Sequence, residues 1–434
     1  MSWRGPDVAS RRGEPAVPSS ASYRSLAPVR LDDGRARRLG LGPARGGRPG
    51  PGGRLSRLLR RIFGAGSPLR KLDWILLAAV LALSLVGTLL VWAATDPSRA
   101  SASDPFLTKQ LLNVAIGFTL MAGVSMLDYR QLRLYSPIVF GLSCLGLLVV
   151  LTPLGSIVNG ARSWISLPGG FQIEPSEYAK LSIILVVAMI LGEIRPGETR
   201  PRPRALLAAL GVAFVPLVLV VAEPDLGVVM LMLAMLVGLV ALSGVRLPWL
   251  AGLVAIGALG VTAVVKLHLL KAYQVSRLTS FLHPSADPLG TGYSAFQSKI
   301  AIGSGGLHGQ GLFHGQLVAG GFVPEQHTDF IFAVAGEEIG FVGEMVIIGL
   351  LAVLLFRAFR IAGRADDQFG MLVASGVGIW FAVQSFINIG MTIGIMPVTG
   401  LPLPFVSYGG SAIFADMIAV GCLQAVYRRR TVFS

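Results

Sequence analysis

The chain has 434 residues, 53% of them hydrophobic and only 14% charged, a balance outside the range of ordinary soluble domains. It therefore reads as an integral membrane protein. Its net charge of +14 does not mark a nucleic-acid surface, because residues 1–71 carry sixteen Lys and Arg against four acids and so hold +12 of it.

Residues 1–53 are rich in Pro, Gly, Ser and Arg with almost no apolar periodicity, which predicts a disordered, basic cytoplasmic tail. In the juxtamembrane stretch 54–71, Leu55, Leu58, Leu59 and Ile62 recur at helical spacing beside Arg54, Arg57, Arg60 and Arg61. That pattern suits an amphipathic segment lying on an anionic inner leaflet. The tail does not read as a cleaved signal peptide, since it is long and the first apolar run after it is long enough to cross a bilayer.

From 72 to 430 the pattern is that of a polytopic, all-α membrane domain. Apolar stretches of about 20 residues, the length a span needs, fall at 73–94, 108–127, 132–152, 176–194, 204–222, 226–244, 247–269, 339–358, 369–395 and 409–427. About ten transmembrane helices put both termini on one side. With the N-terminus inside, 29 Lys and Arg lie in cytoplasmic segments against seven outside, and Lys180 lies within the fourth span; the positive-inside rule selects this orientation. Cys144 and Cys422 fall in different spans, so neither a disulfide nor a metal cluster is expected.

The cytoplasmic loops are short and basic, whereas the outer connections carry the unusual polar sequence. The first holds Arg162 and Trp164 in Asn-Gly-Ala-Arg-Ser-Trp, then Gln-Ile-Glu-Pro-Ser-Glu ending at Glu177, with Lys180 three residues on. Glu177 and Lys180 share a helix face. A neutral anchoring pair and a functional intramembrane charge pair are equally good readings of them. Glu223-Pro-Asp225 reads as a capped turn, with the proline at a first helical position.

The long outer loop 270–338, between the seventh and eighth spans, is too apolar and patterned for disorder. It contains Arg277, Asp287-Pro-Leu-Gly-Thr-Gly-Tyr, a glycine-rich run from 303 to 311, and Pro-Glu325-Gln-His327-Thr-Asp-Phe. Those glycines form neither a Walker motif nor a dinucleotide fingerprint in strand context. Asp-Pro-x-Gly at Asp287 is ordinary turn chemistry. Phe330 to Ala335, too short to cross and bounded by Glu337 and Glu338, predicts an interfacial or re-entrant helix. Finally, Leu401 to Ser411 interrupts membrane sequence with two prolines and a Gly-Gly pair around Ser407. Freed backbone groups survive in a bilayer where they line a cavity or a site.

Taken together, the motifs at 159–164, 175–180, 223–227, 287–293, 297–306, 324–332 and 406–411 resemble those of the SEDS (RodA/FtsW) family of peptidoglycan glycosyltransferases, in order, over residues 73–427. The wording at 300–306 and 388–405 is nearer the RodA branch, which serves cell elongation and shape rather than division. Tyr293-Ser-Ala-Phe-Gln departs from the family, whose members more often carry Gln directly after the Tyr. The resemblance implies polymerisation of lipid II at the outer face of the bacterial cytoplasmic membrane, with transfer from an undecaprenyl-pyrophosphate-linked glycan. It implies Asp287 as general base or acceptor-positioning group and Glu177 as an acid beside it. As an alternative, both would share a divalent cation, Mg2+ or Mn2+. Arg162 and Lys180 are implied as phosphate contacts, with Arg277 a weaker one, Trp164 as a flat face for sugar or prenyl chain, and Glu325, His327 and Ser407 as cavity-shaping groups. A class B penicillin-binding transpeptidase is the implied partner. The rival readings are a lipid II flippase and a scaffold. Transporters place unwound sites near the midplane and often repeat their halves, whereas here the polar motifs gather at one face and no repeat is visible.

Overall fold

The computed structural model describes residues 71–95, 105–158, 161–166, 172–193, 198, 200–267, 275, 281 and 292–433. The basic tail, the juxtamembrane segment up to residue 70, Arg277 and Asp287 lie outside the described residues.

Helices α1 (Trp74–Thr95), α2 (Pro105–Met126) and α3 (Tyr129–Leu151) are followed by strands β1 (Gly155–Val158), β2 (Ala161–Ser166) and β3 (Gln172–Ile173). Then come α4 (Pro175–Leu191), α5 (Pro203–Ala222), α6 (Leu226–Leu242) and α7 (Leu247–Lys266). The last part comprises α8 (Tyr293–Gly305), α9 (Gln316–Ala319), α10 (Ile331–Ala362), α11 (Gln368–Ile393) and α12 (Gly410–Phe433). Each predicted apolar stretch coincides with a helix. Among the described residues, seven helices (α1, α2, α3, α5, α10, α11 and α12) are long and apolar enough to cross a membrane, and α6 and the Leu247–Gly260 part of α7 are shorter apolar helices.

The helix ends follow from local chemistry. Gln131 of α3 reaches back to the Asp128 backbone N–H at 2.9 Å, and Asp367 accepts from Gly370 N at 3.1 Å to cap α11. Helix α11 stops at Gly394, whose φ of 81° is the left-handed turn that glycine permits. The core is apolar and runs from Leu76, Leu83 and Leu90 of α1 through Ile183 and Ile184 of α4 to Trp380 and Phe381 of α11. Leu142 and Leu145 of α3, Phe214 of α5 and Phe356 of α10 are exposed, as lipid-facing side chains are. Cys144 and Cys422 are both free thiols.

One expectation needs correction. The fold is not purely helical, because a three-stranded antiparallel sheet, ordered β1-β2-β3, fills the connection between α3 and α4. Ser156 pairs with Trp164 and Ile165 with Ile173, with a bulge between Ser156 and Ile157. The described strands satisfy backbone donors and acceptors by pairing with one another, and the polar residues of the connection kept the short β pattern from standing out.

The apolar piece after Phe330 forms a short helix of its own, as expected: α10 consists of two helices that meet at a break at Gly340 (φ 66°, ψ −172°). A Cβ at Gly340 would come within 2.2 Å of Gly309 N, so the break lets the 306–311 loop close onto the helix backbone. Gly340→Ala is expected to destabilise the protein by roughly 3 kcal/mol, from the left-handed φ plus the backbone clash. Thermal unfolding in detergent checks this, and an unchanged midpoint would show that the close approach is dispensable.

Candidate active site

Pro175 starts α4 at a position whose missing N–H costs nothing, and this places Glu177 in the first turn with Lys180 one turn further. Their side chains are 2% and 0% exposed and meet at 2.7 Å. Lys180 Nζ also donates to Gln384 Oε1 at 3.1 Å and sits 4.8 Å from the centre of the Trp380 ring. The same Gln384 oxygen accepts from Trp380 Nε1 at 2.6 Å, and Gln384 Nε2 donates to the Pro402 carbonyl at 2.8 Å. One amide thus joins α4, α11 and the interrupted segment between α11 and α12. Asp416 of α12 is buried nearby.

That interrupted segment, Ile395 to Gly409, carries no helix, so its backbone groups need other partners. Asn388 Nδ2 donates to Leu401 O at 2.7 Å and to Asp329 O at 2.9 Å. Ser407 Oγ accepts from Leu403 N at 2.8 Å and donates to Thr328 O at 2.6 Å. Tyr408 N donates to His327 O at 2.9 Å, while the Phe106, His327 and Tyr408 rings lie within 5.6 Å of one another. On the other flank, a Cβ on Gly87 would lie 2.5 Å from Val406 Cα, so glycine in α1 is what admits the segment there.

The structure therefore brings Glu177 and Lys180 together, and joins His327 and Ser407 through the backbone between 327 and 408. Glu325 is exposed at the same turn, where its φ is 49° and its carbonyl accepts from Thr328, Asp329 and Phe330. Arg162 lies elsewhere, on β2, where Nη1 donates to Thr152 O at 3.3 Å and closes the end of α3. Trp164 is half-buried on the same strand, its carbonyl accepting from Ser156 Oγ at 3.0 Å. Sequence reasoning missed Trp380, Gln384, Asn388 and Asp416. The signal was there, since a polar amide or acid within an apolar span is itself a pointer to a site.

Burial, reinforced by the neighbouring Glu177 and Asp225 carboxylates, raises the Glu174 acid well above the usual carboxylate range. Its backbone N–H donates to Ser411 Oγ at 3.0 Å, and that hydroxyl donates to Gln172 O at 3.1 Å, tying β3 to the start of α12. The imidazole of His327 is lowered by burial, with Glu325 opposing.

The capped-turn reading holds for only part of Glu223-Pro-Asp225. Asp225 caps α6 by accepting from Val228 N at 3.0 Å, but Pro224 precedes that cap and does not occupy the first helical position. Glu223 is fully buried and neither carboxyl oxygen finds a hydrogen bond. Burial, and then the nearby Asp225, push it from 4.5 to about 8. The folded protein thus retains a proton that the unfolded chain releases near 4.5. Stability from this group is fully present below that value and is lost as pH rises through about 8. Glu223→Gln is expected to flatten that loss, on the order of a few kcal/mol, in unfolding measured from pH 5 to 9. A wild-type pH slope in the variant would overturn it.

No three His, Cys, Asp or Glu among the described residues converge in a way that would hold a metal ion. Glu177, one of the two carboxylates expected to share a divalent cation, is paired with Lys180, and the other, Asp287, lies outside the described residues.

Comparison with known proteins adds the following. The model of the FtsW/RodA/SpoVE family, described as cell cycle proteins, matches residues 70–432. Stage V sporulation protein E of Bacillus subtilis is 39% identical over 361 residues, covering 82% of this chain and 97% of the relative. The peptidoglycan glycosyltransferase MrdB of Escherichia coli is 37% identical over 371 residues, covering 84% and 95%. A peptidoglycan synthase complex that coordinates polymerisation and crosslinking contains a similar chain, with TM-score 0.69, 33% identity and coverage of 83% and 98%. The rod shape determining protein RodA of Thermus thermophilus aligns with TM-score 0.60 and 29% identity, covering 83% and 97%.

Proposed function

The chain belongs to the FtsW/RodA/SpoVE family of cell cycle proteins, and from that we infer that it is a peptidoglycan glycosyltransferase that polymerises lipid II. The observation that carries the reading is the convergence of family motifs on one helix interruption. Glu177 and Lys180 reach it through Gln384, the 327–329 turn through Asn388, Ser407 and Tyr408.

The chemistry follows from what the transfer needs. The 4-hydroxyl oxygen of the incoming disaccharide bonds to the anomeric carbon of the lipid-linked glycan, the bond to undecaprenyl pyrophosphate breaks, and the hydroxyl proton passes to a carboxylate. In this proposal Asp287 takes that proton or positions the acceptor. Glu177 pairs with Lys180 beside the interruption, where a cation offsets the leaving pyrophosphate; Arg162 is a further phosphate contact, Arg277 a weaker one, and Trp164 packs on sugar or prenyl chain. Glu325, His327 and Ser407 shape the cavity. A Mg2+ or Mn2+ shared by Glu177 and Asp287 would compete with Lys180 for the Glu177 carboxylate, and chelation followed by Mn2+ addition tests the need for one. The proposal includes ten spans, both termini inside, an outward-facing site in the bacterial cytoplasmic membrane, and a class B penicillin-binding transpeptidase as partner. The RodA-like wording at 388–405 supports cell elongation over division.

Purified protein in detergent, given labelled lipid II with and without the transpeptidase, is expected to yield glycan polymer. No polymer even with partner and divalent cations present would shift the reading to a flippase or scaffold.

A further inference from the structure

The opposite ends of the same helices form two adjoining cavities that the reaction does not use. One, of about 850 Å3, opens between the starts of α3, α5 and α11, the end of α4 and the end of α12; the second, about 390 Å3, lies between the start of α5 and the α6–α7 turn. They share Glu198 and Arg202. Six arginines line the pair: Arg130, Arg133, Arg202 and Arg429 in the first, and Arg200 and Arg246, again with Arg202, in the second.

Three of these have a carboxylate within reach. Arg133 meets Glu193 at 3.7 Å, where the two side chains are 40% and 76% exposed; Arg202 meets Glu198 at 2.6 Å; and Arg429 meets Asp367 at 3.5 Å. Exposed pairs of this kind are weak and exchangeable. Asp367 is also committed elsewhere, accepting from Tyr129 Oη and Gly370 N. Arg130, Arg200 and Arg246 are exposed and form no ion pair among the described residues. The arginines share the lining with apolar side chains, Leu134, Met189 and Ile190 in the first cavity and Leu206 and Trp249 in the second. A free inorganic anion has no use for such walls, whereas an amphiphile with a phosphate head does.

We propose that these adjoining cavities bind the headgroup of an anionic phospholipid, its negative charge offset by Arg130 in the first cavity, Arg200 and Arg246 in the second and Arg202 shared by both, with its glycerol and upper acyl carbons against the apolar walls. The site stands apart from the polymerase reading and survives its failure.

The test uses the full chain in neutral detergent, with phosphatidylglycerol, phosphatidylcholine or inorganic phosphate added. Phosphatidylglycerol is expected to raise the unfolding temperature and to be retained in native mass spectra, while phosphatidylcholine does neither. Arg130→Gln, Arg200→Gln and Arg246→Gln combined should weaken the phosphatidylglycerol response roughly a hundredfold. Arg360→Gln with Arg364→Gln, at the end of α10, should leave it intact. Should the triple variant fold poorly, retention by single Arg200→Gln and Arg246→Gln proteins decides. An unchanged response in the variants, an equal loss in the α10 control, or an equal response to inorganic phosphate would each overturn the proposal.

Discussion

Asp287→Ala is expected to leave the unfolding temperature of the protein within a few degrees of wild type while slowing glycan synthesis from labelled lipid II by about 10²–10⁴-fold, the range that a positioned general base supplies. The competing explanation is local, because Asp-Pro-Leu-Gly at 287–290 is a sequence that makes turns for purely conformational reasons. Asp287→Asn separates the two. Asparagine keeps the size and turn chemistry of aspartate but carries no charge and takes up no proton. If the residue serves the turn, the Asn protein polymerises at close to the wild-type rate. If it takes the acceptor proton, the Asn protein is as slow as the Ala protein. Near-normal polymerisation by both would remove Asp287 from the chemistry.

The apolar pattern and the interruptions made most of the helical frame legible, since runs of about 20 apolar residues have few alternatives in a membrane chain. The break at 401–411 was legible for the opposite reason, its prolines and glycines standing where a bilayer penalises freed backbone. What the pattern hid were features that depend on distant partners. The β1–β2–β3 sheet is built from strands of four, six and two residues, too short to show periodicity against a polar loop. Gln384 and Asn388 lie within the stretch 369–395, which reads simply as a span. Their role appears only when Pro402, Leu401 and Asp329 are brought to them. Glu223 looked like part of a cap because its neighbour Asp225 is one, and burial together with the missing hydrogen bonds distinguishes the two acids.

Lys180→Met is expected to destabilise the protein by about 3–5 kcal/mol, because it leaves the Glu177 carboxylate buried without its counter-charge. The loss should exceed that of any exposed pair, such as Arg202 with Glu198, by several-fold. Adding Glu177→Gln to Lys180→Met removes the stranded charge, leaves Gln384 still bonded to Trp380 and Pro402, and should recover at least half of the stability. Activity in the double variant then tells an anchoring pair from a working one, the two readings that spacing alone left level. A stable double variant that polymerises lipid II at the wild-type rate would make the pair an anchor for the start of α4. A stable double variant that makes no polymer would place the charges in the reaction, with Gln384 holding Lys180 against the interruption where the leaving pyrophosphate needs a cation.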